Sequence, residues 1–335
     1  MGVMRILVFE YVTGGGLRDV ALPPSLYREG EWMLDAVVTD LAEIPGINLR
    51  VPRDDRLDLG RLRRTGMEPV PVSARHGYQP VWQELLASCD AAWPIAPETG
   101  GILERLCRQV TEAGKGLLNS GPNTVRLATQ KQATLEHLGR LGIPVVPSYR
   151  WGETPAHLPF PRVIKPDDGA GCEGLRLFRS PAQWPEAAPS TTIVQPYLEG
   201  EPLSLSALFC NGECRLLSCN RQRLTETGDG LKLAGCRVNS IADPDGRWQS
   251  LADAVARALP GLWGYAGIDL IATAEGPHIL EINPRLTTSY AGLRQAIGVN
   301  PAAMVLQLLE NGQLPAAIGQ PGRQVDVILE PDHDD

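Results

Sequence analysis

Two stretches toward the C-terminal end carry acids at a spacing that can hold a cation: Gly267-Ile268-Asp269-Leu270-Ile271 and Ile279-Leu280-Glu281-Ile282-Asn283. Successive side chains of a strand point to opposite faces. Asp269 therefore shares a face with Gly267 and Ile271, and Glu281 shares one with Asn283 and Ile279. An antiparallel hairpin turning at Glu275 sets Asp269 opposite Glu281 and Asn283 opposite Gly267. The alternate face, with Ile268, Leu270, Leu280 and Ile282, is apolar and expected to enter the core. Two carboxylates and an amide oxygen on one face repel unless a cation sits between them. All-oxygen ligation suits Mg2+, which keeps few carboxylates and adds substrate phosphates. Gly267 is expected to leave room for those phosphates, and Arg285 can stabilise charge on a transferring phosphoryl group. The plainer reading of the same residues is a solvated hairpin face.

A second feature is Gly169-x-Gly171-x-x-Gly174, the spacing of a dinucleotide-binding turn. That turn needs a strand leading in and a helix leading out. Here Val163-Ile164-Lys165-Pro166 leads in, and Leu175-Arg176-Leu177-Phe178 leads out with the alternation of a strand. The context argues against a nicotinamide enzyme. A glycine loop between two strands is a flap whose backbone N–H groups can fold over phosphates, with the Lys165 ammonium at its base; a plain glycine-rich hairpin is the alternative. Lysine occurs only at 115, 131, 165 and 232, although Lys and Arg together number 31. Each lysine thus raises the question of whether a compact ammonium is needed there.

The elements that must position these residues follow from periodicity and punctuation. The 335 residues are enough for two or three domains. In the N-terminal third, apolar strand-length runs (Arg5 to Tyr11, Ile47 to Val51, Asp90 to Ala96, Leu117 to Asn119) alternate with helices. One helix, capped by Ser25, has an apolar face of Trp32, Met33, Ala36, Val37 and Leu41; others cover Val81 to Ser88 and Gly101 to Ala113. That alternation predicts parallel βαβ units in a small doubly wound sheet, an α/β domain over 1–118. A helix capped by Asn123 is expected to run to about Leu141, ended by Gly142. From Ile143 onward β and turn signals dominate, with a hairpin turn at Asn211-Gly212 and helices at Gln249 to Leu259 and Ala302 to Asn311. The expected divisions are 1–118, 119–200 and 201–330, with a loose acidic tail from Glu330.

Composition narrows the function. Hydrophobic residues make up 43% and charged residues 21%, ordinary values for a globular chain, and the net charge of −8 argues against nucleic-acid and anionic-membrane partners. Seven scattered cysteines are not a disulfide framework. Cys210, Cys214, Cys219 and Cys236 could in principle hold zinc, but no C-x-x-C pair occurs, and buried free thiols fit better. With no signal-peptide pattern and no apolar run of about 18 residues, a cytoplasmic location is expected.

Taken together, these motifs resemble the ATP-grasp superfamily over about residues 119–311, with the preceding α/β domain fitting the N-terminal domain usual there. The resemblance implies an α/β and α+β architecture: two α+β lobes gripping ATP behind a small parallel-sheet domain. Lys131 and Lys165 match its phosphate-binding lysines, and Gly169, Gly171 and Gly174 its flexible loop. Gln195, Tyr197 and Leu198 lie in the match to the adenine-reading hinge, with Pro196 where many relatives carry Glu. Glu201 matches the ribose-binding acid, and Lys232 is a candidate third phosphate contact. Asp269, Glu281 and Asn283 match the magnesium ligands and Arg285 the arginine after them. The implied cofactors are ATP and two Mg2+ ions, with Mn2+ a substitute. The implied reaction activates a carboxylate as an acyl-phosphate and passes it to an amine, with Arg285 and Lys165 catalytic.

The segment from Glu281 to Tyr290 is similar to the ATP-grasp branch containing tyramine–L-glutamate ligase, which acts in methanofuran biosynthesis. So are Phe9-Glu10-Tyr11, Ala96-Pro97-Glu98 and Asn220-Arg221-Gln222. This similarity implies L-glutamate and tyramine, or a related aromatic amine, as small-molecule partners. Thr287, Thr288 and Ser289 could hold an amino-acid carboxylate or cap a helix. Gly15, in Gly14 to Gly16, could offer an N–H to an anion or form a tight turn. Glu98 could bind an ammonium or cap the following helix. A homodimer is compatible with all of this. A small-molecule kinase on the same scaffold, another amino-acid ligase and a non-catalytic nucleotide-binding module are the competing readings. The intact set Lys131, Lys165, Asp269, Glu281, Asn283 and Arg285 speaks against the last.

Overall fold

The structure is a computed structural model that describes residues 3–65, 67, 69–169, 171–228, 230–316 and 322–329. The expected acidic tail from Glu330 lies outside the described residues.

The chain opens with β1 (Met4–Glu10), α1 (Pro24–Ala42), β2 (Ile47–Arg50), β3 (Pro52–Asp54), β4 (Val70–Val72), α2 (Tyr78–Ser88), β5 (Ala91–Ile95), α3 (Ile102–Glu112) and β6 (Gly116–Leu117). Strands β2-β1-β5-β6 form a parallel four-stranded sheet, and β3 pairs with β4 as a separate parallel ribbon. The sheet is covered on both faces, and β1 shows why its run is uninterrupted. Ile6 and Val8 join a core with Leu34, Val37 and Leu41 of α1, whereas Leu7 and Phe9 join one with residues of α2 and α3. A strand buried on both sides has no polar face. Ser25 does not cap α1: the helix begins at Pro24 after Pro23, with no side-chain cap bond. Proline suits that place because its missing N–H would be unsatisfied there and its φ is pre-set.

The remaining elements are α4 (Pro122–Thr129), α5 (Lys131–Arg140), β7 (Tyr149–Arg150), β8 (Arg162–Pro166), β9 (Arg176–Phe178), β10 (Thr192–Pro196), β11 (Glu201–Cys210), β12 (Glu213–Thr227), β13 (Gly230–Ile241), α6 (Arg247–Ala258), β14 (Gly264–Thr273), β15 (Gly276–Asn283), α7 (Tyr290–Ile297), α8 (Pro301–Asn311) and β16 (Val325–Ile328). Among the described residues they build one ten-stranded sheet in the order β15-β14-β11-β12-β13-β9-β8-β10-β7, with β16 also on β13. Alternation sorts its faces. Leu203, Leu205, Ala207 and Phe209 of β11 pack under α5 and α6, while Ser204 and Ser206 face the other way.

The helix expected from Asn123 to Leu141 is two helices. Gln130, at φ −82 and ψ 85, leaves the helical region, and Asp167 takes over the new N-terminus: Gln132 N–H donates to its Oδ1 at 2.8 Å and Lys131 N–H to its carbonyl at 3.3 Å. A carboxylate satisfying the first amides of a helix is a cap supplied from another element. Strands β13 and β16 were not legible, since Gly235 (φ 150) and Asn239 (φ 55) interrupt the alternation of β13. The Asn211-Gly212 turn is as expected, with both residues at positive φ (51 and 81).

Candidate active site

The β14–β15 hairpin has the expected register at its inner end: Asp269 pairs with Glu281 and Gly267 with Asn283. Beyond it a bulge shifts the pairing, so Leu270 meets Ile279. An extra residue in one strand reverses which side chains point inward. Ile279, expected beside the acids, is wholly buried in the core, and Leu280, expected in the core, lines the cavity. Gly267 serves a different purpose from the one expected: a Cβ there would lie 2.8 Å from Thr287 Cγ2. Its missing side chain makes room for Thr287 rather than for phosphates.

This hairpin forms part of a cavity of about 330 Å3 between the lobes. Lys131, the first residue of α5, and Lys165, on β8, converge on Glu281: their Nζ atoms lie 3.5 and 3.7 Å from Glu281 Oε2. Lys131 Nζ also donates to the Gly169 carbonyl at the root of the glycine loop. Burial pulls the Lys165 ammonium below its ordinary pKa. Burial pushes Glu281 up, but Lys131, Lys165 and Arg285 outweigh it and hold the carboxyl below the usual range. Asp269 is pushed up by burial and by the charge of Glu281. Its Oδ2 accepts from Asn283 Nδ2 at 3.1 Å and its Oδ1 from Gln222 Nε2 at 3.1 Å. With its amide nitrogen turned to Asp269, Asn283 keeps its oxygen available as a ligand. The donor set, two adjacent carboxylates and an amide oxygen, fits a hard divalent cation that also takes phosphate oxygens. Among the described residues no group of three or more His, Cys, Asp and Glu side chains is placed to hold a metal.

Gly169, Gly171 and Gly174 border the cavity as the flap expected, and its tip takes left-handed backbone at Gly171 (φ 61), Cys172 (φ 63) and Gly174 (φ 70). Gln195, Tyr197 and Leu198 also line it. Gln195 Nε2 donates to Ser148 Oγ at 2.7 Å, and the Tyr197 N–H to the Pro161 carbonyl at 2.9 Å. That backbone donor, expected to read a base, is already engaged, which leaves the Tyr197 carbonyl and the Leu198 backbone. Glu201 is not brought into the cavity: it pairs with Arg221 at the rim, between the lining residues Gly200 and Pro202. Lys232 is not brought there either. It lies on β13 between Leu231 and Leu233, which line the cavity, so alternation sends the ammonium away from it.

At the other side stands Arg285. Its Nε donates to Glu98 Oε1 at 2.8 Å and its Nη1 to the Leu286 carbonyl at 3.0 Å. Burial would lower the guanidinium, but Glu98, Glu29 and Glu281 outweigh it and raise it. Glu98 is thus neither a helix cap nor a free acid: it fixes Arg285. Thr287, Thr288 and Ser289 line the cavity. Ser289 precedes α7 without a side-chain cap bond, so the capping alternative does not hold. Its hydroxyl instead joins Ser206 Oγ (3.0 Å), Tyr265 OH (3.2 Å) and Thr287 Oγ1 (2.9 Å). Gly15 is buried away from the cavity, where its Cβ position would lie 2.6 Å from Val72 Cγ1; it belongs to a packed turn. Sequence reading missed Glu29 and Gln222 as cavity residues. Gln222 stood inside a motif already noted, whereas Glu29 carried no local signal at all.

The cavity therefore sets two ammonium groups and a flap of backbone amides beside a cation-binding hairpin, with a buried guanidinium and hydroxyls next to it. That arrangement can bind a nucleoside triphosphate and hold a second substrate against its terminal phosphate. Comparison with known proteins agrees. Residues 128–289 match the ATP-grasp domain family and residues 47–125 the pre-ATP-grasp domain family. The chain belongs to the ATP-grasp family and is an ATP-dependent ligase of the ADP-forming class that makes carbon–nitrogen bonds. It is similar to the tyramine–L-glutamate ligase of Methanocaldococcus jannaschii, at 26% identity over 300 residues that cover 88% of this chain and 86% of that protein. The enzyme of the same name from Methanocaldococcus fervens is 27% identical over 292 residues, 86% of this chain and 89% of that one. Among solved structures, an ATP-grasp superfamily protein from Archaeoglobus fulgidus shares the fold, with a TM-score of 0.71 at 21% identity over 94% of this chain and 90% of that chain. Proteins of this family bind ATP with Mg2+. Among the described residues no helix is long and apolar enough to cross a membrane.

Proposed function

We propose that this ligase joins the carboxylate of L-glutamate to the amine of tyramine or a related aromatic amine, through an acyl-phosphate. The observation that carries the reading is the convergence of Lys131 and Lys165 on Glu281, next to Asp269 and Asn283 and across from the Arg285–Glu98 pair. The two lysines and the loop amides hold the triphosphate. Asp269, Glu281 and Asn283 would hold Mg2+, which would offset charge on the phosphates. The Arg285 guanidinium, kept in one orientation by Glu98, is placed to stabilise the carbonyl oxygen on which negative charge develops as the amine adds. The flap folds over the cavity and keeps water from the acyl-phosphate. The adenine falls to the Gln195–Leu198 strand end, and the phosphate-binding half corresponds to 119–200 with the metal-binding half in 201–330. The names of the archaeal relatives support the substrate pair.

The test is phosphate release from Mg-ATP with L-glutamate, adding tyramine, tyrosine or no amine, with Asp269→Asn as control. Release that needs both acid and amine, and vanishes in the variant, supports the reading. ADP formed with no amine present, without phosphate release and with a phosphorylated product accumulating, replaces it by a kinase.

A further inference from the structure

Glu29 is a cavity carboxylate that stands near Arg285 without forming an ion pair of its own. Glu29 lies on α1 and, among the described residues, is the only one before Lys131 that lines the cavity. Its Oε1 accepts the Thr288 hydroxyl at 2.5 Å, which fixes its direction. A Cβ on Gly171 would lie 3.5 Å from its Oε2, so the acid looks across at the tip of the flap. Its charge helps raise Arg285 and helps push the Cys172 and Cys236 thiols up to about 12, behind the larger effect of their burial. The acids packed beside it at this end have partners of their own. Glu281 has two lysines, Asp269 has two amides, and Glu98 has Arg285. Among the described residues Glu29 makes no ion pair with Lys or Arg.

We propose that Glu29 is the subsite for the ammonium group of an α-amino-acid acyl donor. The inference rests on the ligase reading and names what the second substrate must carry. A half-buried carboxylate without an ion pair of its own is stabilised by any ligand that brings a cation to it. The neighbouring Arg285 guanidinium and the Thr287 and Ser289 hydroxyls can take a carboxylate, so this end of the cavity complements a zwitterion. The donor, and not the incoming amine, is the better occupant for a chemical reason. The attacking amine must be neutral, and a carboxylate at hydrogen-bond distance keeps an ammonium protonated. The donor's own ammonium must stay protonated, or it would compete for its own acyl-phosphate.

The experiment is calorimetric binding of L-glutamate and of glutarate, its analogue without the ammonium, to protein saturated with Mg2+ and a non-hydrolysable ATP analogue. The wild type is expected to prefer L-glutamate by about 10- to 100-fold, the range of one charge-assisted hydrogen bond. Glu29→Gln keeps an oxygen that can accept from Thr288. It is expected to bind L-glutamate no better than glutarate, with glutarate affinity unchanged. Glu29→Asp, which keeps the charge one methylene back, is expected to recover part of the preference and covers a misfolded Gln variant. A wild type without the preference, a Glu29→Gln protein that keeps it, or one that loses both acids alike overturns the inference. Amine-dependent phosphate release by the wild type judges the ligase reading separately. Glutamate held through Glu29 with no amine ever consumed would sink that reading and leave the subsite standing.

Discussion

The chain has two glycine-rich turns, and they use glycine for opposite reasons. In Gly14 to Gly16 every missing side chain is a space already filled: Cβ atoms there would lie 2.6 Å from Phe9, 2.6 Å from Val72 and 2.4 Å from Tyr11. Glu10, buried beneath this turn, accepts the Val12 N–H at 3.2 Å and the Thr13 N–H at 2.6 Å. In Gly169 to Gly174 the nearest neighbours of the same virtual atoms are 3.1 to 3.5 Å away, and the loop borders the cavity. The first turn needs glycine so that side chains can close on the backbone, the second so that backbone N–H groups can reach a ligand. From sequence the two looked alike as anion-binding candidates. The difference lies in what other elements bring to them.

If the comparison is right, damage on the flap side costs turnover, and damage in the packed turn costs stability. Lys165→Met, beneath the flap, is expected to lower turnover by about 1,000-fold, the scale of losing one preorganised electrostatic group. Its unfolding midpoint should barely move, since burial already disfavours the ammonium. Steady-state kinetics beside a denaturant titration reads both. Next comes Glu10, whose carboxyl burial pushes up to about 7, with Glu31 of α1 adding slightly and its hydrogen bonds to Val12 and Thr13 opposing. Because the folded value lies above the ordinary one, its contribution is full below about pH 4.5 and is lost as pH rises through 7. Relative to Glu10→Gln, the wild type should lose up to about 3 kcal/mol of stability across that window. Parallel slopes for the two proteins would remove Glu10 from the account.

Gly16→Ala should cost about 2 kcal/mol, because a methyl group there must displace the Tyr11 ring. Turnover per folded molecule should be unchanged, and a fall in turnover without destabilisation would reverse the assignment. The smallest effect is expected for Gly171→Ala on the flap. Left-handed backbone costs a non-glycine residue about 1 kcal/mol, so stability should fall slightly while the KM for ATP rises several-fold. An unchanged KM would argue that the flap does not touch the nucleotide.

Legibility followed the range of the interactions. The doubly wound first sheet, the flap between two strands and the Asp269–Glu281 register were readable because each depends on near neighbours in the chain. The bulge that exchanged Ile279 for Leu280 was not, since it is set by packing against α5. Gln130, which breaks the long helix, looks like an ordinary helix former; Asp167, 37 positions on, decides the break. Glu201 and Lys232 had the right residue types in the right order along the chain. Arg221 and the pleat of β13 nevertheless place them outside the cavity.

By itself, then, the sequence determined the chemistry: which side chains can carry charge, where backbone must bend, and which strands alternate. Those are properties of residue types and of the two-residue period of a strand, and they pointed to ATP and a divalent cation. Only the tertiary structure decided the partnerships. Arg285 is oriented by Glu98 from 187 positions away, Thr288 holds Glu29 across 259, and Gly267 makes way for Thr287. Contacts at such separations depend on how sheets and helices pack, and no local pattern encodes them.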